Sequence, residues 1–276
     1  MSEPSVEKHS GILGDLFLLV IPLSVAVIAG TIVLYGRAAG FSIVLDTTSI
    51  DFATTIFFTL ILVGLLFYGL KRHPEKSARV IVAGVTVAGT ISGLVLFKVW
   101  VEASQLSPIV FLAALPIGYM GLNWSVREYF GALSERKTHL LMIGSATLLG
   151  SLIGTSFPPI FSIVFLLALV TLDVVIVESR ALPNIVGETA YDEMVSVATL
   201  PLDKYLVGLG DFLAYAIVTT TALRLFGLYG AIATAILVLI GAILTFQVTR
   251  IRSRAPGLLI PIGMALIPIL LGVLVF

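Results

Sequence analysis

The chain has 276 residues, of which 58% are hydrophobic and 12% are charged, and its mean hydropathy is +1.12. Because a soluble domain carries about 25% charged residues, this chain has too little polar surface for a fold that faces water on all sides. The net charge of zero gives no sign of a nucleic-acid partner, and the lack of cysteine excludes disulfides, thiolate metal sites and cysteine nucleophiles.

Nine apolar runs of 18 to 21 residues follow one another along the chain, separated by short polar joints. At about 1.5 Å per residue, each run is long enough to cross a hydrocarbon core of about 30 Å. The runs lack the alternation of a β-barrel, so each is predicted to be a helix. The predicted spans are Leu16–Tyr35, Phe52–Leu70, Val80–Trp100, Ser107–Trp124, His139–Phe157, Ile160–Val177, Tyr205–Leu223, Leu228–Val248 and Leu258–Phe276.

The joint from Glu178 to Lys204 is the one joint with room for structure of its own. It contains two prolines and a polar stretch at 187–193, and we expect a short interfacial helix there. The fold class predicted is all-α and polytopic, with one membrane domain overall. Residues 1–157 hold helices one to five, and residues 158–276 hold helices six to nine as the catalytic part.

Positive charge is distributed unevenly over the joints, which predicts the orientation in the membrane. The side of the N-terminus and of the joints after spans two, four, six and eight carries 13 of the 16 Lys and Arg residues. The other side carries Arg37, Lys98 and Arg224. This asymmetry predicts a cytoplasmic N-terminus and, with nine spans, an extracellular C-terminus.

Two of the 16 acidic residues, Asp173 and Asp211, lie inside predicted spans. A charge at a helix centre costs about 2.5–3.5 kcal/mol on insertion scales, so such residues usually face a partner or a wet cavity. Asp173 lies near the end of the sixth span and Asp211 near the start of the seventh, so the carboxyls can meet at one level. Two facing carboxyls in a low dielectric cannot both ionise, and such a pair can act as general acid and general base on a peptide bond.

The residues before Asp211 form the sequence Gly208-Leu209-Gly210-Asp211, at the head of the seventh span. Glycine allows a close backbone approach and an irregular helix start, which a substrate strand could use. The motif resembles the G-x-G-D motif of presenilins and signal peptide peptidases, a family of intramembrane aspartyl proteases. That family has nine helices, with one catalytic aspartate on the sixth and one on the seventh. The predicted orientation is similar to that of presenilins.

Two positions depart from the family pattern. Leu172 precedes Asp173 where the family has tyrosine, and Pro256-Gly257-Leu258 stands where the family has Pro-Ala-Leu. A Tyr-Asp pair does occur at Tyr191-Asp192, but it lies in a polar run, so Asp173 is preferred to Asp192.

The resemblance implies a prokaryotic presenilin homologue that hydrolyses transmembrane segments, with Asp173 and Asp211 catalytic and no cofactor or metal. The expected partners are transmembrane protein substrates and the lipid bilayer of the cell membrane, and homo-oligomerisation is left open. A proton- or cation-coupled transporter that uses the same aspartates is the alternative. A prepilin peptidase fits less well, because Leu213 stands where those enzymes usually have lysine. Residues expected to shape the cleft are Gly208, Leu209, Gly210, Pro256, Gly257 and Leu258.

Overall fold

The computed structural model describes residues 12–38, 68–69, 72–179, 183–184, 187–202, 205–252 and 255–275. Within these ranges the chain is almost wholly helical, with one short β-hairpin. The helices are α1 (Ile12–Ala38), α2 (Pro74–Ala103), α3 (Ile109–Leu112), α4 (Ala114–Tyr129), α5 (Glu135–Ser156), α6 (Pro159–Ser179), α7 (Glu188–Ala198), α8 (Leu209–Arg252) and α9 (Leu259–Val275), and the strands are β1 (Thr199–Leu202) and β2 (Tyr205–Gly208).

Six helical stretches in the described ranges are long and apolar enough to cross a membrane. They comprise α1, α2, the α3–α4 pair, α5, α6 and α8, and α9 adds a shorter apolar stretch at Leu259–Leu271. The chain is therefore an all-α polytopic membrane protein apart from its hairpin. The second predicted span, Phe52–Leu70, lies almost entirely outside the described residues. The short helix expected between Glu178 and Lys204 is present as α7.

The predicted start of the seventh span, at Tyr205, was wrong. Tyr205–Gly208 is a strand that pairs antiparallel with β1, and the helix begins only at Leu209. The segment is apolar enough for either a strand or a helix, so hydropathy alone does not distinguish these two structures. α8 then covers the seventh and eighth predicted spans. Its helical conformation is interrupted at Gly227, whose φ of 68° is readily adopted only by glycine.

α8 lies at the centre of the packing, against α1, α5 and α9. Its approach to α5 is very close: a Cβ atom at Gly150 would lie 2.5 Å from the Leu213 carbonyl oxygen, and one at Gly154 would collide with Ile217 and Thr220. Small residues permit this approach, because helices in lipid associate through close packing rather than through the hydrophobic effect. The α5–α8 interface therefore holds the first half of α8, which carries Asp211, in place.

Candidate active site

Asp211 is positioned by the abrupt change from strand to helix at the end of β2. The backbone N–H of Gly208 donates to Asp211 Oδ2 at 2.8 Å. Gly208 is the residue before the helix and Asp211 is its third residue, so the side chain reaches back to an N–H that the helix leaves unpaired. Asp211 is thus in the first turn of α8, closer to the helix start than the sequence predicted.

Asp173 lies on α6, six residues before that helix ends at Ser179. Its Oδ2 atom accepts a hydrogen bond of 2.8 Å from the backbone N–H of Leu258. The Leu258 carbonyl accepts the first intrahelical hydrogen bond of α9, from Ile262. Asp173 therefore caps the N-terminus of α9 from a neighbouring helix, because this helix start needs an acceptor for its free N–H groups.

The backbone at Gly257 and Leu258 brings the two aspartates together. While Asp173 accepts from Leu258, a Cβ atom at Gly257 would lie 3.3 Å from Asp211 Oδ1 and 3.4 Å from Asp211 Oδ2. The two carboxyl groups also interact electrostatically with each other. Three separate elements, α6, the start of α8 and the start of α9, thus meet at one polar corner, which we call the dyad corner (Asp173, Asp211, Gly257 and Leu258).

Some of the residues expected to shape the cleft are buried and hold the backbone, and others leave space beside the carboxyls. Leu209 and Leu258 are 6% and 5% exposed and belong to the buried core, and Pro256 is also buried, so these side chains hold the backbone in place. Gly210 is exposed, and a Cβ atom there would meet nothing within 4 Å. Neither Gly208 nor Gly210 has a positive φ. Gly210 instead leaves open space beside Asp211.

One side chain at this corner was not singled out from the sequence. Tyr215 follows Asp211 by one helical turn on α8, is 4% exposed, and interacts electrostatically with both Asp211 and Asp173. The sequence does contain a signal for Tyr215: it follows Asp211 by four residues, and residues i and i+4 of a helix share a face. The G-x-G-D motif itself ends at Asp211 and does not include position 215.

Leu172 and Asp192 are both exposed. Leu172 lies on α6 directly before Asp173, and its side chain is 45% exposed. Asp192 is exposed on α7, and neither dyad aspartate has a contact to it among the described residues. The structure thus brings Asp173 and Asp211 together, and it leaves Asp192 apart from them.

The donor set of the dyad corner consists of two carboxyls and backbone N–H groups. Among the described residues, no group of three or more His, Cys, Asp or Glu side chains is arranged to hold a metal ion. Comparison with known proteins adds no assignment to this geometry: no family model matches the chain, and no curated protein matches it.

Proposed function

We propose that this chain is an intramembrane aspartyl protease that hydrolyses peptide bonds within transmembrane segments of other proteins. The observation that carries the proposal is the meeting of Asp173 and Asp211, from two different membrane helices, at the backbone of Gly257 and Leu258. Ionisable residues are costly inside a membrane and usually mark a functional site. The proposal includes membership of the presenilin and signal-peptide-peptidase family and a location in the cell membrane.

The topology that belongs to this proposal has nine spans, a cytoplasmic N-terminus and an extracellular C-terminus. The bias of 13 against 3 basic residues between the two sides supports it. In this orientation the dyad corner lies near the cytoplasmic end of the bundle, and α7 lies at the cytoplasmic interface.

The chemistry needs only the two carboxyls and a water molecule. One carboxylate takes a proton from water, the oxygen of that water attacks the peptide carbonyl carbon, and the other, protonated carboxyl gives its proton to the carbonyl oxygen. The product is a tetrahedral gem-diol. Its collapse breaks the C–N bond as a proton passes to the leaving nitrogen, and Asp173 and Asp211 can exchange the roles of acid and base.

Strand β2 and Gly210 suggest how a substrate is presented. A peptide bond inside a helix is shielded by its own hydrogen bonds, so the substrate must be extended at the point of cleavage. One edge of β2 pairs with β1, and its other edge has no strand partner among the described residues. Extended peptides commonly add to such free edges. Because β2 ends three residues before Asp211, a strand added there would lead toward the carboxyls and the space at Gly210.

The test is cleavage of a purified transmembrane substrate with a central glycine, in detergent, followed by mass spectrometry of the products. Asp173→Asn and Asp211→Asn keep the size of the side chain and should each lower the cleavage rate by about 1,000-fold or more. Asp192→Asn, on the exposed side of α7, is the matched control and should cleave at the wild-type rate. Undiminished cleavage by either dyad variant would falsify the mechanism, and ion-dependent solute uptake without peptide products would favour a transporter.

A further inference from the structure

A buried phenol lies beside the dyad corner. Tyr215 is one turn beyond Asp211 on α8, about 6 Å along the helix axis. Its side chain is 4% exposed, and it interacts electrostatically with both carboxyls, although they come from different helices. A residue on the same face as Asp211 and near Asp173 is placed to contact whatever binds between the two.

The Tyr215 hydroxyl group has a free donor. The dyad carboxyls receive their hydrogen bonds from the backbone at Gly208 and Leu258, and the Tyr215 phenol has no hydrogen bond with the residues that the structure describes. A tyrosine hydroxyl group in an apolar setting is stabilised by a hydrogen-bond partner. The Tyr215 oxygen is not among the fully enclosed polar atoms that lack one, so it is open to a bound partner. The partner that fits this place is an oxygen atom bound between the carboxyls.

We infer that Tyr215 donates a hydrogen bond to the carbonyl oxygen of the substrate as this oxygen becomes part of the gem-diol. The inference rests on the proposed function and adds a third group to it. Asp173 and Asp211 transfer protons, whereas Tyr215 keeps its proton and stabilises the charge that develops on oxygen. No bond to the phenol is made or broken.

The position of Leu172 supports this assignment. Its side chain is 45% exposed, whereas that of Tyr215 is buried beside the dyad corner. Tyr215 is anchored instead on α8, whose first half packs closely against α5. A donor on this rigid element can be aimed before substrate arrives, as stabilisation of a transition state requires.

The first experiment compares Tyr215→Phe with the wild type in the cleavage assay. This variant keeps the ring and removes only the hydroxyl group, so kcat should fall by about 10- to 100-fold while KM stays within about twofold. Tyr229→Phe is the matched control: the same change in α8, beyond the interruption at Gly227 and at a residue 88% exposed, should leave both constants at their wild-type values. The thermal stability of each variant is measured alongside.

The second experiment separates contact with the reacting oxygen from a general effect on packing. Tyr215→Phe should weaken binding of a peptide isostere with a tetrahedral hydroxyl group by about tenfold, and leave unchanged the binding of the same peptide with a methylene in its place. Equal loss for both ligands overturns the inference. A wild type that cleaves and loses activity with Asp211→Asn, but is unaffected by Tyr215→Phe, overturns it while the proposed function stands. A wild type that cleaves nothing overturns both.

Discussion

The α5–α8 interface and the dyad corner are built in opposite ways. In the interface, glycines bring two backbones together, and polar side chains such as Thr147, Ser151 and Thr155 are completely buried. Ser151 and Thr155 donate their hydroxyl groups to carbonyls of their own helix. At the dyad corner, the carboxyls are only partly buried and depend on backbone N–H groups from other elements. Close packing thus stabilises the interface, and the corner is where we propose that the chemistry takes place.

The largest effect is expected in the interface, from Gly154→Leu. A side chain at this position collides with Ile217 and Thr220, and α8 cannot move away without shifting the start of the helix that carries Asp211. The free energy of unfolding in detergent should fall by about 3 kcal/mol or more, with loss of folded protein. Gly144→Leu is the control on the same helix, because a Cβ atom there meets nothing within 4 Å. If both variants were equally stable, close packing would not be what holds α5 to α8.

An effect of similar size but of a different kind is expected at Gly257. Its added Cβ atom would lie 3.3 Å from Asp211 Oδ1, so the branched side chain of Gly257→Val should displace that carboxyl or fill the place of the water molecule. Cleavage should slow by about 100-fold, equivalent to about 2.7 kcal/mol, with the free energy of unfolding changed by less than about 1 kcal/mol. Gly257→Ala adds only one methyl group and should lose less than tenfold. Loss of stability rather than activity in Gly257→Val would contradict the division between corner and interface.

Hydrophobicity and the rarity of acids in apolar runs predicted several of the spans and drew attention to both aspartates. The spans that became α1, α2, α5 and α6 have the length and apolar content that lipid requires, and Asp173 and Asp211 stood out because acids are rare in such runs. Strand β2 was missed, because pairing with β1 is a contact between segments and leaves no mark in hydropathy. The capping of α9 by Asp173 was missed for the same reason, since residues 173 and 258 are far apart in the chain.

Leu172→Tyr should have the smallest effect, and it tests which position supplies a hydroxyl group to the corner. The Leu172 side chain is 45% exposed, so a tyrosine at this position has room outside the packed helices. The free energy of unfolding should change by less than about 0.5 kcal/mol, as for exposed positions in general, and the cleavage rate should stay within about twofold. The measurement is the same cleavage assay, with Leu167→Tyr at another exposed position of α6 as control. A large gain in rate from Leu172→Tyr alone would mean that α6 turns this position inward when substrate binds, and that the corner recruits its donor from α6 rather than from Tyr215.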